Sequence, residues 1–159
     1  MRFRRTALLA ALALGWMLGC ESSPTAFERE VDRLQATPDT LEIGDLRLTL
    51  EAELWRDFLV VDTDPPLTTS IRVTDVLSRE IPESVEVVHL WVIAGYNLWE
   101  VPAELASWTQ RSPDRLELVF IGGPHWAPGT RVDVVVGILD EDGELHRVRV
   151  SDREIRSTI

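Results

Sequence analysis

The chain has 159 residues, 45% of them hydrophobic, and its 27 acidic and 16 basic side chains give a formal net charge of −11. This length and composition suit one ordinary globular domain with a hydrophobic core. The acidic balance disfavours nucleic acid as a partner, because a negative surface repels phosphate backbones. The chain contains a single cysteine, so an intramolecular disulfide is excluded and stability must come from packing.

The N-terminal segment has the layout of an export signal. Three arginines lie among the first five residues, and an uncharged, mostly apolar stretch follows from Ala7 to Gly19. A basic head before a short apolar core is typical of a secretory signal peptide. The apolar stretch is too short for a bilayer-spanning helix, which needs about 20 residues. We therefore expect residues 1–19 to be removed as a signal peptide.

The end of this signal, Met17-Leu18-Gly19-Cys20, places a small residue directly before the cysteine. It resembles the lipobox of bacterial lipoproteins. The resemblance implies cleavage before Cys20, diacylglycerol on its thiol and an acylated α-amine, so the membrane is the expected partner through this lipid. It also implies a cell-envelope location, and Glu21 after the cysteine favours the outer membrane if the cell is Gram-negative. An ordinary secretory signal with an incidental cysteine is the alternative.

Residues 20–38 combine the predicted lipidated cysteine with a polar tether and a short helical pattern. Thr25 and Glu28 have the spacing of a capping box. Three apolar side chains recur at helical spacing: Phe27, Val31 and Leu34. A helix over 25–35 and a disordered extension of the tether both remain open, and Pro38 ends the segment.

From Asp39 onward the hydrophobic pattern changes to period two, which predicts half-buried strands. The clearest case alternates five apolar residues with polar ones: Leu46, Leu48, Leu50, Ala52 and Leu54. Further strand patterns cover 69–77, 84–94 and 115–121, and 130–140 with 144–151 form a hairpin around Gly143. Residues 95–113 lack this rhythm, so we expect a long connection with one short helix after Pro102.

Several strands with little helix predict an all-β fold, an antiparallel two-sheet sandwich over residues 39–159. The closing hairpin resembles that of immunoglobulin-like and fibronectin-III-like domains. The resemblance implies a sandwich core between two sheets, and Trp91, in the middle of a strand pattern, is the candidate central tryptophan.

The sequence contains no recognisable catalytic motif, and we expect neither a metal nor a cofactor. His89, His125 and His146 are far apart and lack the paired spacings of zinc or copper sites. The segment 140–144 has the Asp-x-Asp-Gly look of a calcium loop but lacks the further acids that such a loop requires. We therefore expect a non-enzymatic protein.

Aromatic residues in two irregular segments, 95–110 and 122–129, form the candidate binding surface. The candidate residues are Tyr96, Trp99, Trp108, His125 and Trp126. If these loops meet at one end of the domain, they offer rigid area with polar edges to an envelope protein or a glycan. In the alternative, the tryptophans cap the open ends of the core.

Taken together, these features predict a membrane-tethered, non-enzymatic envelope lipoprotein that acts as an interaction or structural module. The alternative function is a small-ligand or metal-binding periplasmic protein that uses His89, His125 or His146 with nearby acids.

Overall fold

The structure, a computed structural model, describes residues 24–59 and 64–158. The predicted signal peptide (1–19) and Cys20 lie outside the described residues. One α-helix, α1, spans Ala26–Gln35, and a single 3-10 turn spans Ala103–Leu105. The strands are β1 Thr40–Ile43, β2 Leu46–Asp57, β3 Leu67–Asp75, β4 Glu86–Ala94, β5 Asn97–Pro102, β6 Trp108–Ser112, β7 Arg115–Gly123, β8 Arg131–Leu139 and β9 Leu145–Thr158. None of the helices in this part is long and apolar enough to cross a membrane.

The strands form one curled, mixed sheet with the shape of a half-barrel. Eight strands follow one another in the order β5-β4-β8-β9-β2-β3-β7-β6, and β1 adds to β2. The predicted two-sheet antiparallel sandwich, and with it the immunoglobulin-like architecture, is therefore wrong.

The long strand β9 is the reason that the fold is one sheet. Its first part pairs antiparallel with β8 as far as Glu154, and its end, from Ile155 to Thr158, pairs parallel with β2. At Asp152 the backbone takes a positive φ of 56°, and Asp133 accepts the Asp152 N–H at 3.0 Å. This irregularity lets one strand bend from one half of the sheet into the other.

The period-two pattern of β2 is confirmed by its burial, which alternates along the strand. Leu48, Leu50, Ala52 and Leu54 are buried in the main core, which also takes its side chains from β3, β4, β7, β8 and β9. The core thus lies on the face that the curled sheet encloses.

The expectation of a long connection over 95–113 is wrong, because this stretch contains β5 and β6 around the 3-10 turn. Both strands stand at the ends of the sheet order. No residue of β6 is buried and only one of β5 is. Edge strands with so little burial have no apolar alternation to reveal them.

For residues 25–35 the sequence left open a helix or a disordered extension of the tether, and the structure has the helix, α1. Thr25 and Glu28 make the reciprocal hydrogen bonds of a capping box. Val31 and Leu34 are fully buried against Trp91, Ile93 and Val135 on the outer face of the sheet. Trp91 therefore lies beneath a helix, and not between two sheets as the sandwich predicted.

Candidate functional site

The half-barrel has two ends, which we call the loop end and the hairpin end. Strand β4 runs from the hairpin end, where Glu86 pairs with Leu139, to the loop end at Ala94. The loop end carries the described residues 58–59 and 64–66 and the connections 95–96 and 124–130. The hairpin end carries the β8–β9 turn at 140–144.

The five predicted binding residues divide by their burial. Tyr96, in the β4–β5 turn, is 65% exposed, and Trp108, at the start of β6, is 47% exposed. Trp99 of β5 and Trp126 of the β7–β8 loop are partly buried and pack against the main core. His125 is exposed at the loop end. Trp99 and Trp126 thus contribute to the core, whereas the remaining three candidate residues are exposed.

Trp99 reaches across the opening of the half-barrel. A Cβ on Gly123, near the end of β7, would lie 2.8 Å from Trp99 Cζ3 and 3.0 Å from Leu67 Cβ. The indole therefore rests on bare backbone, and only glycine leaves room for it. This contact closes the loop-end part of the gap between the two edges of the sheet.

His125 belongs to a charged cluster that joins two loops. Asp64 pairs with Arg56 through one carboxylate oxygen and with His125 Nδ1 through the other. Arg56 is itself buried, and its Nε donates to the carbonyl of Pro65 at 2.7 Å. Hydrogen bonds from His125 and Arg56 hold the pKa of Asp64 below its usual range. The cluster holds Asp64 and Pro65 against the β7–β8 loop.

Sequence reasoning missed Arg56, although a signal for it existed. In β2 the even positions from Leu48 to Leu54 are buried, and Arg56 continues that face. A charged residue on an apolar face needs a partner, because an unpaired buried charge is costly. The pattern therefore indicated an ion pair, but not its partner.

His89 lies in a stack on the outer face of the sheet. Its ring stacks on Trp91 with 4.7 Å between centroids, and its Nε2 lies 2.8 Å from Glu100 Oε1. The guanidinium carbon of Arg147 lies over the Trp91 ring, 5.0 Å from the ring centroid. These contacts tie β4 to β5 and β9.

His146 lies within the acidic hairpin turn. The ligand atoms of Asp140, Glu144 and His146 all lie within 4.8 Å of one another. Asp140 accepts the backbone N–H groups of Asp142 and Glu144 at 2.9 and 2.8 Å, and His146 Nε2 lies 2.7 Å from its other oxygen. The hydrogen bond from His146, followed by that from Glu144, lowers the pKa of Asp140.

The hairpin-end part of the opening stays free, and we call it the edge slot. It lies between residues 86–88 of β4 and residues 109–111 of β6. Two adjoining cavities of about 230 and 450 Å³ occupy it. Their linings share an apolar floor around Val87 and Leu118, with Thr109 at the side.

Both sides of the edge slot are unpaired strand edges. Strand β5 pairs with β4 only from His89 onward, so among the described strands Glu86 and Val87 pair with β8 alone, and Val88 lies in a register shift of that ladder. On the opposite side, β6 pairs with β7 alone among the described strands. Sequence reasoning missed this site because strand order, which creates the two facing edges, is not a local pattern.

The borders of the edge slot are fixed by the chain around it. Towards the loop end, Pro102, Ala103 and Glu104 cross over it. Towards the hairpin end, the Arg111 guanidinium donates to the carbonyls of Val85, Pro82 and Ile81 at 2.6, 3.1 and 3.3 Å.

Helix α1 fixes the direction in which the chain enters the domain. Glu30, in its first half, lies 3.5 Å from Arg147, which is the third residue of β9 at the hairpin end. Gln35, at its end, lines a surface cleft with Ile93 and Gly95 at the loop end. The N-terminus of α1 therefore points to the hairpin end.

No known protein family, curated protein or solved structure matches this chain.

Proposed function

We propose that this chain is a membrane-tethered, non-enzymatic cell-envelope lipoprotein that acts as an interaction module. The lipid on Cys20 holds it to the membrane, and its partner is a protein or glycan of the envelope. The outer membrane is the favoured location if the cell is Gram-negative, because Glu21 and not Asp follows the cysteine.

The observation that carries this proposal is that the docked helix begins only a few residues after Cys20 in the sequence. The capping residue Thr25 and the buried Val31 belong to this ordered helix. The four steps from Cys20 to Pro24 reach at most about 14 Å. A lipid on Cys20 would therefore hold the folded domain close to the bilayer surface.

The direction of α1 supports a role in presentation. Its N-terminus points to the hairpin end, so that end would face the membrane. The loop end, with the accessible Tyr96 and His125, would face away.

A fractionation experiment tests the tether. In cells that produce the full chain, the unaltered protein is expected in the membrane fraction, and Cys20→Ser is expected in the soluble fraction with an unchanged melting temperature. Ser23→Ala, a matched change three residues later, should stay with the membrane. If Cys20→Ser also stays there, the anchoring proposal fails.

A second candidate function is metal binding at the hairpin turn. Asp140, Glu144 and His146 offer two carboxylates and an imidazole within reach of one ion, a donor set that suits Zn²⁺. His89 and His125 are each engaged with a single carboxylate, Glu100 and Asp64 respectively. This observation favours His146 among the three histidines considered from the sequence.

Thermal unfolding with added zinc tests the metal-binding candidate. Binding to the folded state would raise the melting temperature, and His146→Ala should abolish that rise while His89→Ala should not. If zinc does not change the melting temperature of the unaltered protein, the metal-binding candidate fails.

A further inference from the structure

We propose that the edge slot accepts an extended, basic segment of a partner protein, which adds as a strand between β4 and β6. This inference rests on the proposed function as an interaction module and names the surface and the chemistry of its partner. The floor of the slot binds apolar side chains, and its acidic rim binds the basic ones.

The backbone on both sides of the slot supports strand addition. Residues 86–88, with a register shift at Val88, and residues 109–111 each present an edge that pairs with a described strand on the far side only. Unpaired strand edges are templates for a further strand, and strand addition to an open edge is a common mode of peptide recognition. Three residues on each side correspond to about 10 Å of strand.

The fold keeps this vacancy open. The ladder between β4 and β8 shifts register between Val87 and His89, just where β5 ends on the other side. Closer to the loop end, Trp99 and the crossing residues fill the gap. The vacancy is therefore confined to the stretch where both edges lack a partner.

The side chains of the slot select the chemistry of the occupant. Val87, Leu116 and Leu118 make the floor apolar. Glu86 and Glu104 stand exposed at the rim, whereas the guanidinium of Arg111, which also lines the slot, is bonded to backbone carbonyls at its hairpin-end border. A strand presents alternate side chains to opposite faces, so a segment that alternates apolar and basic residues fits both surfaces.

Charge also decides against a second copy as the occupant. The chain carries a net charge of −11, so two copies repel each other. A basic segment of another protein gains from the same charge, and the gain should fall with added salt.

The test measures binding of a blocked hexapeptide of alternating valine and lysine to the mature protein extracted from membranes in detergent. Thr109 pairs with Leu118 and shares its face. Gln110 also borders the slot, but it pairs with Glu117, so its side chain belongs to the opposite face of the strand. Thr109→Trp should fill the slot and weaken binding at least about ten-fold, and Gln110→Trp should change it less than about two-fold. Glu86→Gln with Glu104→Gln should weaken binding and reduce its salt dependence.

Peptide controls keep the test independent of any folding defect in Thr109→Trp. A peptide with glutamate in place of lysine, and one N-methylated at alternate valines, should each bind at least about ten-fold more weakly. Equal binding of either control peptide, an equal effect of Gln110→Trp, or self-association that Thr109→Trp abolishes would overturn the proposal. Because the assay needs no membrane, its failure is distinguishable from a failure of the Cys20 anchor.

Discussion

The carboxylate of Asp75 organises the turn that follows β3. One oxygen accepts the backbone N–H of Arg47 at 2.7 Å and Arg79 Nη2 at 2.9 Å. The other accepts the N–H groups of Leu77 and Arg79 at 3.0 Å and Arg79 Nε at 2.9 Å. The side chain is fully buried. The Arg79 guanidinium, with these backbone donors, holds the pKa of Asp75 far below its usual range.

Asp75→Asn should lower the free energy of unfolding by about 1.5–3 kcal/mol at neutral pH, the scale of hydrogen bonds to a charged group. A carboxylate whose pKa is depressed by folding stabilises the protein above its unfolded pKa of about 3.9, and that stability fades as the pH falls below it. Urea unfolding from pH 7 to pH 3 should therefore show the difference shrinking below about pH 4. Asp142→Asn, at an exposed turn position far from Arg79, is the control, and a difference independent of pH would contradict the assignment.

Gly123 shows how one missing side chain closes part of the sheet. Gly123→Ala should destabilise the protein by about 1–3 kcal/mol, because the new methyl group overlaps the Trp99 indole. In a background of Trp99→Leu the same change should cost less, since the clash is relieved. A double-mutant cycle by urea unfolding measures this coupling. Strictly additive effects would show that the two residues do not share the contact.

At the scale of elements, α1 contributes to stability through its buried face. Leu34→Ala should lower the free energy of unfolding by about 2–5 kcal/mol, the usual cost of truncating a fully buried leucine. Asp32→Ala, on the exposed face of the same helix, should change it by less than about 0.5 kcal/mol. Denaturant unfolding provides both values. Equal, small effects would mean that the helix does not dock in solution.

Local patterns in the sequence predicted the elements whose burial is periodic. The capping residues of α1, the alternation of β2 and the β8–β9 hairpin around Gly143 were all readable from residue spacing. The edge strands β5 and β6 were not, because their side chains are largely exposed. Propensity alone gives a weak signal for such strands.

Sheet architecture was beyond the reach of local patterns. The parallel pairing of Leu54 with Ile155 joins residues far apart in the chain, and no spacing within β2 or β9 encodes it. The predicted sandwich followed from counting strands, which cannot distinguish two sheets from one that curls. The edge slot was missed for the same reason, since it exists only where strand order leaves two edges facing each other.

The candidate site was predictable only in part. Aromatic and polar residues in the loops pointed to Tyr96, Trp108 and His125, which are accessible. The same reasoning included Trp99 and Trp126, which pack against the core, because composition does not show which way an indole turns. Asp64, the carboxylate that joins Arg56 to His125, came from a different segment and was not recognised as their partner.

At the scale of the whole molecule, the proposed lipid anchor and the direction of α1 together set how the domain would face the membrane. Helix α1 points its N-terminus to the hairpin end, so the 140–144 turn would lie near the bilayer. The eight steps from Glu86 to Ala94 span about 26 Å of strand. Tyr96 would therefore lie about 26 Å farther from the lipid than the hairpin turn does.

Dye labelling of single introduced cysteines tests both the proposed lipid on Cys20 and the proposed orientation of the domain. The mature protein in vesicles that contain headgroup-quencher lipids should take up no thiol dye, because the proposed anchor blocks the Cys20 thiol with lipid. A dye on Glu141→Cys should then be strongly quenched, and one on Tyr96→Cys only weakly. A dye that reacts with Cys20 in the unaltered protein, or quenching that is equal or reversed at the two positions, would contradict the account.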